Sequence, residues 1–270
     1  MDKFFKYKTY GLNILSEFEI SELNNKESET SDIDVIIKFD NIPREIKAKI
    51  KNGQTNGYEE NIVWIDISNI AKYLIKDGNT IIIEPYDDVD FNKIKLYLLG
   101  TCFGIILIQR KTIAIHGAAI DMDGKGIIIS GQKGAGKSTL SSKLMMKGAQ
   151  LVADDVSVIT GKEKYNIEYA YDGQKICHDT MKILGYNYSD FEAIDINGEI
   201  KYKVKSSRIR TEKPVNLNMI FIFKIDSVDK VMINRLKGIE KFENVFNNIY
   251  RLHLILNLGV NNESIKKLWI

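Results

Sequence analysis

The feature that most constrains this chain is a glycine-rich run that ends in a lysine and a serine. An apolar triplet at 127–129 precedes the run and predicts a buried strand, and residues 138–147 have the periodicity of a helix that stops at Gly148. The run fits the pattern G-x-x-x-x-G-K-[ST], in which glycines let successive backbone N–H groups point at phosphate oxygens. The sequence therefore predicts a nucleotide phosphate-binding loop, formed by Gly131, Gln132, Lys133, Gly134, Ala135, Gly136, Lys137, Ser138 and the adjoining Thr139.

Two side chains of this loop have predicted chemical roles. Lys137 is expected to reach the outer phosphates, and the Ser138 hydroxyl to bind Mg²⁺. The following helix adds its positive N-terminal end to the site. The alternative is that the glycines only shape a turn.

A histidine upstream is predicted to lie beside the loop. Asp123-Gly124 separates two apolar runs, which is a strong signal for a two-residue hairpin turn. With this turn, Met122 faces Lys125, and counting back places His116 opposite Gly131. His116 is therefore a candidate phosphate contact or proton-transfer partner, although a lone histidine is more often structural.

Two adjacent carboxylates follow the predicted strand at 150–153. Ligands in sheets with helical crossovers lie beyond the carboxyl ends of strands, where Asp154, Asp155 and the phosphate loop would all emerge. Neighbouring side chains on an extended chain point in opposite directions, so the two suit different tasks. One could hold Mg²⁺ or its water and the other accept a proton from an attacking hydroxyl. A solvated turn is the alternative.

Taken together, His116-Gly117, the loop fifteen residues after that histidine and the run 151–155 resemble the catalytic core of the HPr kinase/phosphorylase family. More loosely, the rest of the chain resembles the compact bacterial kinases of that family, including those that phosphorylate serine on ribosomally made precursor peptides. The resemblance implies Mg²⁺-ATP-dependent transfer of the γ-phosphate to a hydroxyl. It implies Asp154 as catalytic base, Asp155 as a second carboxylate near the metal, Lys137 and Ser138 as phosphate and metal ligands, and His116 as the active-site histidine.

The chain also departs from that family. Thr139 stands where the bacterial HPr kinases usually carry Glu, and no counterpart of their downstream glycine-rich signature is present. Neither HPr as the acceptor nor the reverse phosphorylase reaction therefore follows from the resemblance. The Mn²⁺-ligand pattern of the related phosphoenolpyruvate carboxykinases is not found either.

Composition sets broad limits on function. The 270 residues carry a net charge of +2, which gives no electrostatic case for binding nucleic acid or an anionic membrane. Two cysteines, Cys102 and Cys177, form no disulfide framework and fit a reducing cytoplasm. The charged N-terminus does not resemble a secretory signal. The longest uncharged run, Leu96 to Gln109, has fourteen residues and predicts a buried helix, because about 20 residues are needed to span a bilayer. A cytoplasmic location is expected.

We expect an α/β protein, α+β overall, in two parts. Residues 1–111 have period-two patterns that predict a smaller, strand-rich module with a small sheet and few helices, for substrate recognition or oligomer contact. A polar run at 24–31 predicts an exposed loop there. Residues 112–270 would form the phosphate-loop kinase domain, with a mixed central sheet flanked by helices. In this part, strands are expected at 219–225 and 230–236, paired with each other, followed by one long amphipathic helix at 239–256.

Several basic residues of the second part are candidate substrate or phosphate contacts. Lys175 is expected at the start of a helix, Lys201 on a strand, and Arg251 off the apolar stripe of the last helix. Arg208 and Arg210, in a loop, could clamp a substrate. For each, a solvated surface residue is the alternative.

The sequence thus favours a kinase that moves the γ-phosphate of ATP to a serine-type hydroxyl on a peptide or protein. Two alternatives stay open: a kinase of a small-molecule alcohol, and a non-catalytic ATP-binding switch. A homo-oligomer is compatible with all three.

Overall fold

The computed structural model describes residues 4–23, 32–196, 198–205, 213–227 and 229–257. The polar run at 24–31, Arg208 and Arg210 lie outside these residues. The chain forms two compact units, one up to Ile113 and one covering Ala114–Leu252, and residues 253–257 group with the first unit. The role of the first unit stays a prediction.

The first unit is strand-rich, as predicted, but the expectation of a small sheet is wrong: the unit is built on a mixed seven-stranded sheet with helices on both faces. The strand order is β1-β2-β3-β7-β6-β5-β4, and β3 runs parallel to β2 and β7 whereas the other neighbours are antiparallel. Its strands are β1 (Phe5–Thr9), β2 (Leu12–Ser16), β3 (Val35–Phe39), β4 (Asn56–Glu59), β5 (Ile62–Ile67), β6 (Ala71–Lys76) and β7 (Thr80–Pro85). Its helices are α1 (Arg44–Lys51), α2 (Phe91–Tyr97) and α3 (Phe103–Gln109), and the π-helical turn Leu98–Cys102 joins α2 to α3.

Two consecutive residues of β6 show why both faces of this sheet are covered. Successive side chains of a strand point to opposite faces. Leu74 packs with Ile46 of α1 in one cluster, while the Tyr73 hydroxyl donates to the Ile94 carbonyl of α2 at 3.2 Å. The helical stretch Phe91–Gln109 has the length and composition of a membrane span, but 56% of its most apolar window is buried in the structure, as in a core helix.

The second unit contains a larger sheet and a small three-stranded sheet. Its strands are β8 (Ile113–Met122), β9 (Lys125–Gly131), β10 (Gln150–Ala153), β11 (Val156–Thr160), β12 (Asn166–Ile167), β13 (Gln174–Cys177), β14 (Glu192–Ile196), β15 (Glu199–Val204) and β16 (Val215–Phe223). Its helices are α4 (Lys137–Met146), α5 (His178–Leu184) and α6 (Gly238–Asn247), with a 3-10 turn at Tyr188–Asp190. A last helix, α7 (Leu252–Asn257), begins at the final residue of this stretch, and its residues from 253 on group with the first unit. The mixed sheets with packed helices confirm the predicted α/β class.

The predicted hairpin and its register are confirmed. Asp123 and Gly124 have φ of 54° and 80°, as a two-residue hairpin turn of this kind requires, and Met122 pairs with Lys125. β10 is antiparallel to β8 on the other side, so β9 and β10 run in the same direction. β16 is parallel to β9. The carboxyl ends of β9, β10 and β16 therefore meet at one edge of the sheet.

The small sheet has the order β13-β15-β14, and α5 covers one of its faces. Ile176, Tyr202 and Val204 of the sheet pack with Met181 and Leu184 of α5. The predicted helix start at Lys175 is wrong: this residue lies in β13, opposite Lys203, and the helix begins at His178. Pairing with β15, which is distant in sequence, overrides the local helical pattern.

Two C-terminal predictions are wrong. Residues 230–236 form no strand, and Val231 is 89% exposed. β16 pairs instead with β9, about 90 residues earlier in the chain. The predicted long helix is split into α6 and α7, because residues 248–251 leave the helix and Ile249 bridges to Ile115 of β8.

Candidate active site

The predicted phosphate loop joins the end of β9 to the start of α4. Gly131, Gly134 and Gly136 have φ of 131°, 82° and 90°, which lets the chain turn inward. A Cβ at Gly131 would lie 2.4 Å from the Phe223 carbonyl oxygen of β16, so only glycine fits there. Nothing lies within 4 Å of a Cβ placed at Gly134 or Gly136, so the loop has open space on that side. The N-terminus of α4 follows the loop directly, as a phosphate site requires.

Lys137 folds into this loop. Its Nζ donates to the carbonyl oxygens of Gly131 at 2.7 Å and Gln132 at 3.0 Å. Burial lowers the pKa of Lys137, and the charge of Lys201 lowers it further, whereas Asp155 acts in the opposite direction. The ammonium group is thus held within the concave loop, where phosphate oxygens could replace the carbonyl oxygens as its partners.

Other loop residues contact the small sheet and α5. The Lys133 Nζ lies 2.7 Å from Glu199 Oε2 in β15. The Thr139 hydroxyl lies 2.9 Å from that of Thr180 in α5. These contacts place the small sheet beside the phosphate loop.

Asp154 is a buried carboxylate at the end of β10. Its exposed fraction is 6%, and its Oδ2 accepts a hydrogen bond from the Lys175 backbone N–H at 3.0 Å. Burial, together with the nearby charge of Asp155, raises its pKa to about 6, although Lys175 and Lys201 act to lower it. At neutral pH such a group is mostly ionised and is a stronger base than an ordinary carboxylate.

Asp155 points the other way and lies beside His116. Its backbone is left-handed, with φ of 66°, and its side chain is 55% exposed. The Gly117 N–H donates to the Asp155 carbonyl oxygen at 3.0 Å, and the His116 Nδ1 lies 3.2 Å from that oxygen and 3.7 Å from Asp155 Oδ1. The predicted opposite directions of the two carboxylates are therefore observed, and the structure brings His116 to this pair.

A Mg²⁺ ion bound with nucleotide fits these residues. Among the described residues, no group of three or more His, Cys, Asp or Glu side chains could hold a metal ion by itself. Mg²⁺ usually takes one or two carboxylates and completes its shell with water and substrate phosphates. The accessible Asp155 carboxylate, which lies within electrostatic reach of Lys137, and the hydroxyl of the adjacent Ser138 could supply the protein ligands.

Three lysines of the small sheet lie on its face opposite α5. Lys175 of β13 pairs with Lys203, and Lys201 of β15 pairs with Cys177, so all four side chains project from the face opposite Ile176 and Tyr202. Lys203 binds Glu192 at 3.0 Å. Within the described parts of the chain, the Lys175 and Lys201 ammonium groups make no hydrogen bond or ion pair. Their effect on the Asp154 pKa places both near the buried carboxylate.

The break in the C-terminal helix adds residues that the sequence did not reveal. The His116 N–H donates to the Asn248 carbonyl at 2.8 Å, and the Ser130 hydroxyl lies 2.9 Å from Asn248 Oδ1. The Tyr250 ring lies 6.0 Å from the His116 ring. Arg251, a sequence candidate, lies 5.4 Å from the Tyr250 ring. Two adjacent asparagines at 247–248, which are poor helix formers, were the available signal of this break.

Comparison with known proteins identifies part of this unit. The profile of the HPr serine kinase C-terminal domain matches residues 108–194. Residues 108–194 belong to the HPr serine kinase C-terminal domain family. The matched part contains the phosphate loop, His116, Asp154, Asp155 and Lys175, whereas the rest of the second unit, with Lys201 and Arg251, lies beyond the match.

Individual relatives match over shorter stretches than their full length. HPr kinase/phosphorylase of Mycoplasmopsis pulmonis is 30% identical over 108 residues, which are 39% of this chain and 34% of the relative. The Chloroherpeton thalassium protein of the same name is 37% identical over 79 residues, 29% of this chain and 23% of the relative. The chain thus spans about a third or less of these curated relatives. The solved Hpr(Ser) kinase/phosphatase from Coxiella burnetii aligns at 19% identity over 43% of this chain and 81% of that chain, with a TM-score of 0.23, too low to say anything about the fold.

Proposed function

We propose that this protein is an ATP- and Mg²⁺-dependent kinase that transfers the γ-phosphate to a serine-type hydroxyl of a peptide or protein. The observation that carries the proposal is the buried Asp154 carboxylate, whose pKa is raised to about 6, next to a complete phosphate loop. A nucleotide-binding switch has no need of such a base. Membership of residues 108–194 in the HPr serine kinase domain family supports the same reaction class.

Each side chain has a distinct task in this reaction. The loop N–H groups and Lys137 bind and orient the triphosphate. Ser138 and Asp155 would hold Mg²⁺, which would supply positive charge to neutralise the phosphates. Asp154 accepts the proton of the acceptor hydroxyl. The oxygen of that hydroxyl forms the new bond to the γ-phosphorus, while the bond from the γ-phosphorus to the leaving ADP oxygen breaks. His116, against Asp155, contacts the transferring phosphoryl group.

The basic residues around Asp154 suit an anionic reaction centre. Lys175 and Lys201 both lower the pKa of Asp154, so both lie within electrostatic reach of the site of transfer. Neither side chain has a carboxylate partner among the described residues. We therefore assign them to the phosphoryl group or to an acidic acceptor, with Arg251 as a further cation. Recognition of the acceptor by the first unit, a cytoplasmic location and a homo-oligomer belong to the same proposal.

Phosphoryl transfer from γ-labelled ATP tests the proposal. The purified protein with Mg²⁺ is offered a cell extract separated into protein, peptide and metabolite pools, and ATP binding is measured in parallel. Asp154→Asn should bind ATP but transfer label at least about 100-fold more slowly than wild type. Asp179→Asn, an exposed change in the same unit, is the matched control and should retain activity.

The other outcomes are informative in different ways. Label entering only the metabolite pool would identify a small-molecule kinase. ATP binding without transfer to any pool would favour the regulatory switch. Normal transfer by Asp154→Asn would refute the role of this carboxylate as the base.

A further inference from the structure

Residues 248–251 lie along one edge of β8, beyond the point where β9 separates from that edge. β9 pairs with β8 as far as Ser130, opposite Gly117, and then becomes the phosphate loop. Beyond that point the His116 N–H donates to the Asn248 carbonyl and the Tyr250 N–H donates to the Ala114 carbonyl, both at 2.8 Å. The segment therefore continues the ladder next to the loop, and it fixes the backbone that carries His116.

The Tyr250 side chain lies among the charged groups of the site. Burial raises the pKa of its phenol, whereas a hydrogen bond from Arg251 and the charges of Arg251 and Lys175 lower it, and Asp155 raises it. The ring is 6.0 Å from that of His116, with an angle of 34° between the planes. The Tyr250 side chain thus contacts Arg251 and His116, and it lies within electrostatic reach of the exposed Asp155 carboxylate.

The backbone of Arg251 shows that its position is imposed by its surroundings. Its φ of 53° is left-handed, which is uncommon for a residue with a Cβ. Such conformations persist where neighbouring contacts determine them, and they cluster at functional sites. Here the contacts are the β8 ladder before Arg251 and the Tyr250 ring 5.4 Å from its guanidinium carbon.

We propose that Tyr250 is a positioning residue that holds the Arg251 guanidinium on the His116 and Asp155 side of the site during phosphoryl transfer. The inference rests on the proposed kinase function. A guanidinium needs a fixed orientation to use its fork of N–H donors on a phosphoryl group, and the phenol hydroxyl together with the ring face provides it. The ring also limits the directions that the His116 imidazole can take.

A double-mutant cycle on Tyr250 and Arg251 tests this coupling. Tyr250→Phe keeps the ring and removes the hydrogen bond, and should lower kcat about 10-fold with the KM for ATP changed less than about 2-fold. Arg251→Lys keeps the charge but loses the fork and should lower kcat at least as much. The double variant should be no slower than the slower single variant, because both changes remove the same interaction.

The controls distinguish a loss of positioning from a loss of packing, and they test the proposed kinase function separately. Tyr188→Phe, in the same unit, should leave kcat, KM and Tm unchanged, and all variants are compared with wild type by thermal unfolding. Two outcomes would overturn the positioning role in an active enzyme. One is a double variant in which the two reductions in kcat multiply, and the other is a Tyr250→Phe variant with a lower Tm and an unchanged kcat. A wild-type protein that binds ATP but transfers no label would instead refute the kinase function, and this inference with it.

Discussion

Replacing Asp154 by asparagine should make the protein more stable at neutral pH while it removes activity. The carboxylate is buried, and its pKa is raised from 3.8 to about 6. Folding at pH 7 must therefore keep an ionised group in an environment that favours its neutral form. Asparagine has nearly the same shape, can still accept the Lys175 N–H hydrogen bond through its amide oxygen, and carries no charge.

The size of the effect follows from linkage. The rise in the Asp154 pKa from 3.8 to about 6 lowers the free energy of unfolding by about 3 kcal/mol at pH 7. Because the folded state binds this proton more tightly, the penalty is fully present above pH 6 and disappears as the pH falls from about 6 to about 4. Asparagine loses the attraction of Lys175 and Lys201, so we expect a gain of about 1–3 kcal/mol, or roughly 3–10 °C in Tm for a unit of this size.

Calorimetry of wild type and Asp154→Asn at pH 7.5 and at pH 4.5 measures this gain. The higher Tm of the variant should be clear at pH 7.5 and much reduced at pH 4.5. Asp155→Asn is the matched comparison: the side chain is exposed, asparagine tolerates the left-handed backbone, and the change removes only one of the causes that raise the Asp154 pKa, so a smaller gain in Tm is expected. Equal stability of wild type and Asp154→Asn at pH 7.5, or a gain of the same size at both pH values, would refute the reasoning from burial.

Three further outcomes are expected. The value of kcat/KM should fall about tenfold per pH unit below about pH 6 as Asp154 gains its proton, and a flat acid limb would contradict its role as base. Lys137→Met should weaken ATP binding at least about 100-fold, whereas Lys143→Met on the exposed side of the same helix should not, as titration calorimetry would show. Gly117→Ala should cost about 1–3 kcal/mol, because its Cβ would lie 2.5 Å from the Ile129 carbonyl oxygen, and an unchanged Tm would contradict this close approach.

The features that sequence alone predicted are those fixed by local chemistry. The Asp123-Gly124 turn sets the register of β8 and β9, and that register places His116 by counting. The glycine pattern similarly defines the loop, because few other residues adopt its backbone. Asp154 and Asp155 follow a short apolar run, so the strand end that carries them was visible in the sequence.

The features that sequence missed depend on pairing between distant segments. Lys175 lies on a strand because β15, about 25 residues later, pairs with it. The helix breaks at Asn248 because β8 presents an open edge there. Likewise, the raised pKa of Asp154 depends on burial within a unit whose strands come from separate parts of the chain. No short window of sequence contains that information.

Strand β8 contacts both the carboxylates that the sequence predicted and the segment 248–251 that it did not predict. Variants of β8 residues can therefore affect both groups. Successive N–H groups of a strand face alternate edges, so His116 bonds Asn248 on one edge while Gly117 bonds Asp155 on the other. A change to the β8 backbone must therefore disturb the loop, the carboxylates and Tyr250 together. The His116 imidazole, in contrast, is 40% exposed and can be removed without moving that backbone. Activity lost in His116→Ala at unchanged Tm would consequently report the chemistry of the ring, whereas the loss expected in Gly117→Ala reports only the integrity of the strand.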